Sequence, residues 1–445
     1  MNAAVPPADD PAAALPPDDE LRRVLHDEVH TRPSARIHLP ALVVSLAVLN
    51  ESADRAAELS HLQRLPGHRG LTLADLSRNY LVLELPGGVL HWERHTEFTR
   101  YMLVQPLPPG AGAGSSEPEL LSALAIEPGW IAGIPGRTLA AIKLALLHAS
   151  LDDPQAALEQ GRRWFGERPV VASLMGGGHS CVVTDLQLRA SGYERMLVLA
   201  PPQTSATRAG RISQRLLEFE IYRLMALRGL PVAKALGPML AEAEAELARI
   251  TAQLEDKALS DQALLDRLTA LAVRVERATA ENGYRFSATE AYHAIVRQRI
   301  AELREKAIPG TQTVGEFMQR RLSPAIATVA ATAQRLASLS QRIERTGALL
   351  RTRVDIATEA QNQELLARLT RGQELQLKLQ STVEGLSIAA ISYYVVSLLF
   401  YGAKAAHAAG VPVYPELAAG LSIPLVLWGV WRTVRRIHAS LQHSG

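Results

Sequence analysis

The stretch Leu386–Ala403 reads LSIAAISYYVVSLLFYGA, eighteen residues without a charge, and Leu417–Trp431 reads LAAGLSIPLVLWGVW. Only Lys404–Glu416 separates them, and Arg432, Arg435 and Arg436 follow at once. An apolar helix needs about 20 residues to cross roughly 30 Å of hydrocarbon. The first run is near the lower limit, and the second reaches it when Val411–Glu416 sits at the interface and Arg432 snorkels. Pro424 lies inside the second run, where a membrane helix tolerates it. Tyr393, Tyr394, Tyr401, Tyr414, Trp428 and Trp431 lie near the ends, as an interfacial aromatic belt does. The two runs predict a transmembrane hairpin over 386–434, in contact with membrane lipid. Three arginines behind the second span against Lys404 alone in the loop predict both termini in the cytoplasm and the 404–416 loop on the outer side of the membrane. The competing expectation is a buried helical hairpin in a soluble protein.

Working outward, 445 residues exceed one ordinary core, so several structural units are expected. With 47% hydrophobic and 21% charged residues the chain is a folding one. A formal net charge of +2, with no basic-aromatic stretch, argues against a nucleic-acid partner. Cys181 is the single cysteine, so no intrachain disulfide framework is available and a reducing compartment is expected for the bulk of the chain. The segment 1–20, MNAAVPPADDPAAALPPDDE, has neither a cationic start nor an apolar run; it reads as a disordered tail, not as a signal peptide.

Residues 21–204 alternate between extended and helical patterns, predicting an α+β (mixed α/β) cytoplasmic domain. Ala41–Leu49 is a buried strand, Glu51–Leu65 a helix, and Asn79–Leu85, Val89–His95 and Phe98–Gln105 are strands, the first two joined by the turn Pro86-Gly87-Gly88. Beyond a Pro/Gly/Ser linker at 107–118, strands recur at Thr138–Leu147, Val170–Leu174, Cys181–Leu188 and Arg195–Leu199, around a helix at Pro154–Phe165. This recurrence admits an internal duplication. Residues 205–385 change character to a helical bundle and stalk: Thr207–Leu227, Pro231–Asp256, Asp261–Thr279 and Ala288–Lys306 carry helical periods. Ser287–Glu290 and Thr313–Glu316 read as capping boxes, and Asn282–Phe286 as a helix-to-helix turn. From Ser323 to the first apolar run no strong breaker appears, which predicts a coiled-coil stalk feeding straight into the membrane, with self-association through its apolar stripe. Residues 435–445 form a basic cytoplasmic tail.

Three places carry candidate chemistry. His26 and His30 are four apart and share a helical face, a spacing open to a metal or ligand; the simpler account is a helix end whose imidazoles meet the C-terminal dipole before Arg32-Pro33. On a strand continuing through 98, His91, Glu93, His95 and Glu97 share one face and Trp92, Arg94, Thr96 and Phe98 the other. Two imidazoles alternating with two carboxylates suit acid–base work or a metal, whereas cross-strand ion pairs are the structural alternative. A turn after His95 would undo that face. Met175–Ser180 holds three glycines and reads as a tight hairpin, not a phosphate cradle, because the next residues look extended.

His26–Pro33, Trp92–Phe98, Gln214–Glu218, Tyr284–Ala288, Leu349–Val354, Thr382–Leu386 and Ile391–Tyr394 together resemble an uncharacterised family of bacterial membrane-anchored proteins, a domain of unknown function. The resemblance runs from about residue 21 onward and implies an inner-membrane protein. A second likeness is architectural: cytoplasmic α/β domain, long stalk, first span, short outer loop, second span and basic tail resemble the CorA family of divalent-cation channels. That family carries Gly-Met-Asn after its first span, where this chain has Gly402-Ala403-Lys404, followed by Pro415-Glu416-Leu417. A lysine ammonium where the family has an amide oxygen repels a cation. The likeness implies a homo-oligomer conducting an ion, with Tyr401, Gly402, Lys404 and Glu416 at the pore mouth and a cytoplasmic domain sensing an ion or small ligand. The alternatives are a membrane-anchored scaffold without conduction and a membrane-tethered enzyme using His91, Glu93, His95 and Glu97.

Overall fold

The computed structural model describes residues 19–22, 25–26, 33–112, 123–254 and 260–441. It is a mixed α+β protein, with a nine-stranded sheet in the N-terminal part and long helices after it. The central strand β1 (Ala41–Leu49) is buried at every position but the last, which is why its sequence is apolar at every position but Ser45 instead of alternating. Around it come β2 (Tyr80–Leu85), β3 (Gly88–Arg94), β4 (Phe98–Pro106), β5 (Arg137–His148), β6 (Val171–Met175), β7 (Ser180–Thr184), β8 (Glu194–Ala200) and the two-residue β9 (Lys306–Ala307). Their order across the sheet is β2-β3-β4-β1-β5-β8-β7-β6-β9.

The order resolves the expected recurrence into two halves. In each, a strand is followed by a helix and three more strands, and the first strand lies beside the fourth, with the third and second beyond it. The first strands of the halves, β1 and β5, pair antiparallel at the centre. The halves are not copies, because β1 runs antiparallel to β4 whereas β5 runs parallel to β8. The helices between first and second strands are α1 (Arg55–Leu62) and α3 (Pro154–Arg162), each opened by an aspartate N-cap, Asp54 and Asp153. With the short α2 (Pro128–Ala132) they lie over one face, where Leu62, Trp92, Tyr101, Leu158, Trp164 and Phe165 share a core.

The opposite face is covered by α4 (Ala206–Leu227), α6 (Asp261–Leu303), α7 (Val314–Arg321) and the start of α8 (Ser323–Ala408). Leu216, Leu217, Val296, Leu303, Val314, Met318 and Ile326 join Val43, Ile142 and Val198 in that second core. The remaining helices are α5 (Gly229–Gln253) and α9 (Pro415–Leu441). The chain divides into two compact units, 1–255 with 267–344, and 256–266 with 345–445.

Several expectations are corrected. The two helices expected at 261–279 and 288–306 are the single helix α6, so Asn282–Phe286 is helical and Ser287–Glu290 caps nothing. The helical periods continue through Gly283, whose cost of about 1 kcal/mol relative to alanine is small beside the burial of Val275, Phe286 and Val296. The Thr313–Glu316 capping box is formed in full. The strand expected over Cys181–Leu188 ends at Thr184. The loop expected over 404–416 shortens to the residues between Ala408 and Pro415, because α8 and α9 extend past both ends of it.

Within the second unit, α8 continues without a break through the first apolar run, and α9 carries the second. By length and composition alone, three helical stretches among the described residues could cross a membrane, at Ala206–Gln253, Val314–Ala408 and Pro415–Arg436. The first differs from the others: 28% of its most apolar window is buried against 6% and 0%, because α4 lies on the sheet.

Candidate functional site at the β3–β4 turn

The strand that was to carry a four-residue face ends at Arg94, and His95-Thr96-Glu97 is the turn into β4. The turn closes with the His95 amide donating to the Phe98 carbonyl at 2.8 Å. The expected single face of His91, Glu93, His95 and Glu97 is therefore corrected. His91 and Glu93 lie on the strand, and His95 and Glu97 on the turn. Phe98 falls in a different core from Trp92, its expected face-mate. Register places Glu93 opposite Arg100, whose Nη2 lies 2.8 Å from Oε1 and 2.7 Å from Oε2. Both groups are almost fully buried. Burial alone would raise the Glu93 carboxyl, but the Arg100 guanidinium, with hydrogen bonds from His95 and Arg100, holds it at about 2. The His95 Nε2 lies 3.6 Å from Glu93 Oε2. Next along the strand, His91 Nδ1 is 3.1 Å from the Tyr80 hydroxyl, and burial pushes its imidazole towards the neutral form.

The turn is braced from both sides of the sheet. On the α1 side, the fully buried Glu58 receives Arg94 at 2.7 Å and the Thr99 hydroxyl at 2.6 Å. Asn50 donates to the His95 carbonyl at 3.0 Å and to Thr99 at 3.3 Å. On the α4–α6 side, Glu97 is paired with Arg285 and is hydrogen-bonded to Tyr292. Burial first, and then Glu97, keep the Tyr292 phenol protonated. Farther along the same two helices, Arg299 joins Glu218 at 2.6 Å and Glu302 at 2.9 Å, and Arg215 joins Glu302 at 3.2 Å.

Between these braces lies a cleft of about 450 Å³, lined by Arg55, Asn79, Arg94, His95, Thr96, Phe98, Tyr222, Tyr292 and Ile295. Its aromatic wall is continuous. The His95 ring stacks on Phe98 at 4.4 Å, Phe98 meets Tyr222 edge-on at 6.1 Å, and Tyr222 stacks on Tyr292 at 5.8 Å. Its polar side holds two guanidiniums and an imidazole. No carboxylate belongs to the lining.

Sequence reasoning found His95 and placed Glu93 and Glu97 beside it, but missed Arg55, Glu58, Tyr222, Arg285 and Tyr292. A signal for the helical partners exists: Arg215, Glu218 and Tyr222 recur at three and four residues, and Arg285, Tyr292 and Arg299 at seven, so each set lies along one helical face. The reading of Asn282–Phe286 as a turn hid the second set. Of the other candidates, His26 lies in a helical segment, and His30 lies outside the described residues. Tyr401, Gly402 and Lys404 follow one another on α8, and Glu416 sits in the first turn of α9. The 175–180 segment is the tight β6–β7 hairpin, with Gly176, Gly177 and Gly178 all at positive φ. Cys181 is buried, and burial pushes its thiol up to about 12, which leaves it a poor nucleophile. Among the described residues no three His, Cys, Asp or Glu side chains come together in a set able to hold a metal ion.

The family model described as "Protein of unknown function (DUF3422)" matches residues 17–441. No curated protein matches the chain, and no solved structure does.

Proposed function

The chain belongs to the family described as Protein of unknown function (DUF3422), and we propose that it is a membrane-anchored interaction protein that self-associates through α8. The observation that carries this reading is apolar surface left uncovered in the second unit. Leu386, Leu398, Leu399, Leu417, Leu421, Leu425 and Trp428 are all exposed, in apolar stretches of α8 and α9 with almost nothing of the chain packed on them. Soluble monomers rarely present contiguous apolar surface on this scale, and lipid is its natural cover. Arg432 over Trp428 at 5.0 Å and Arg435 over Trp431 at 4.6 Å form a cationic, aromatic end of the kind that sits at a headgroup interface. The positive-inside rule then puts both termini in the cytoplasm of a bacterial inner membrane and the loop in the periplasm. Before the apolar run, Leu365, Leu369, Leu379 and Val383 occupy positions of a repeat of fours and threes, interrupted at Gly372 and Gln376. All four are exposed, so a second copy of α8 is the cover we assign to them.

An ion-conducting oligomer is the rival proposal. It would set Tyr401, Gly402, Lys404 and Glu416 around a mouth, where the Lys404 ammonium opposes cations. The comparisons lend the CorA likeness no support, and anchoring needs nothing beyond the helices themselves. Two measurements test the reading. Membrane pellets washed with alkaline carbonate should retain the full-length protein, and the purified protein in mild detergent should run as an oligomer. Release by carbonate would end the anchoring proposal, and a monomer would end the self-association. Liposomes carrying the wild type or Lys404→Glu should pass no ions; a flux that Lys404→Glu alters would move the case to the pore.

A further inference from the structure

The cleft at the β3–β4 turn is explained neither by anchoring nor by self-association. We propose that it binds a small anionic ligand with a planar ring, of the mononucleotide class: the ring against the His95–Phe98–Tyr222–Tyr292 wall and the phosphate on Arg55 and Arg94. At about 450 Å³ it falls in the range of small-molecule sites, roughly 300–1,000 Å³.

Charge selects the sign of the ligand. The carboxylates nearest the turn, Glu58, Glu93 and Glu97, each sit behind the lining and are paired with Arg94, Arg100 and Arg285. With Arg94 paired to Glu58, Arg55 supplies the net positive charge of the lining, which disfavours a cation and suits an anion. Arg55 is the exposed member, tied by one bond of 2.8 Å to Asn79 Oδ1. Arg94 is held in place by the Ala53 carbonyl at 3.0 Å and by Glu58, so its guanidinium is fixed before a ligand arrives. Shape and chemistry select the ring. Three partly exposed rings, His95, Tyr222 and Tyr292, run along one wall with the buried Phe98 between them, and a heteroaromatic base stacks on such a surface whatever its identity. Asn50 pins the turn backbone at His95, so the phosphate end and the ring end keep a set spacing.

The test is titration calorimetry of the full-length protein in mild detergent with AMP, GMP, CMP and UMP, with adenosine and inorganic phosphate as separate arms. At least one mononucleotide should bind saturably, and tenfold or more tightly than adenosine or phosphate. Arg55→Ala should weaken it at least tenfold with the thermal unfolding midpoint unchanged, and Arg55→Lys should recover part of the loss. Thr96→Trp, at an exposed turn position, should fill the cleft and abolish binding. Absence of saturable binding by all four mononucleotides would overturn the proposal. So would phosphate binding as well as the best of them, or an affinity that neither Arg55→Ala nor Thr96→Trp changes. None of these outcomes bears on membrane retention, so the anchoring reading stands or falls separately.

Discussion

The two units treat their apolar residues in opposite ways. In the first, Leu42, Val43, Trp92, Ile142, Leu197 and Leu217 are each less than 1% exposed, and charged groups that enter the interior arrive with partners. In the second, leucines from 365 to 425 are 48–72% exposed, and Arg353 pairs with Asp261, at the start of α6, at 3.0 Å on the surface. The first unit buries its apolar residues within the chain; on the proposed reading, cover for those of the second comes from outside it.

The largest effect that can break this comparison is a cavity. Trp92→Ala should lower the unfolding free energy of the sheet unit by about 3–5 kcal/mol, whereas Leu398→Ala should leave it unchanged; chemical denaturation followed by far-ultraviolet circular dichroism reads both. Equal costs would mean that the second unit has a core of its own. Arg100→Met strands the Glu93 carboxylate in the interior and should cost about 3 kcal/mol, most of which Glu93→Gln in the same chain returns. Gly210→Ala is a smaller test. A Cβ there runs into the Ala35 carbonyl oxygen, so α4 must shift from the segment before β1, at a cost of about 1–3 kcal/mol in the same denaturation assay.

Next comes a pH effect confined to the first unit. Glu194, buried beside Glu220 with Arg223 between them, has its carboxyl raised to about 8, first by burial and then by the Glu220 charge. Its folded value lies above its unfolded one, so its contribution is present below about pH 4.5 and is lost as pH rises through 8. Glu93 has the opposite sign: held at about 2, it contributes above pH 4.5 and loses that contribution as pH falls towards 2. Glu194→Gln should therefore flatten the decline of the melting temperature between pH 5 and 8 and leave the acid limb in place. An unaltered slope would remove Glu194 as its source. The smallest effect is expected at the exposed Arg368–Glu364 pair of α8, where Arg368→Ala should leave the melting temperature unchanged.

Most of the sheet was legible. Ala41–Leu49 is apolar but for Ser45, Leu139–Leu147 is apolar but for Lys143, and Pro86–Gly88 is a turn that few residues can replace. The two-residue β9 carried no local signal, since Lys306-Ala307 is a strand only because β6 offers it an edge. The candidate site was half legible. His95, Glu93 and Glu97 lie within five residues of one another, and their polar alternation is visible in the chain. Arg285 and Tyr292 are nearly two hundred residues away, and nothing local to them names the β3–β4 turn as their partner.

By itself the sequence determined the element types: largely apolar strands where both faces are covered, uninterrupted helical periods from Ser323, and two long uncharged helical runs. These follow from residue-by-residue preferences and from the lack of charge, which act over a turn or two of chain. Tertiary structure alone decided the rest: that β5 runs parallel to β8 while β1 opposes β4, that α6 carries through Asn282-Gly283, and that Arg285 closes on Glu97. Each depends on groups far apart in the chain meeting in a low-dielectric interior, where an unpaired charge or an empty space costs more than any local preference supplies.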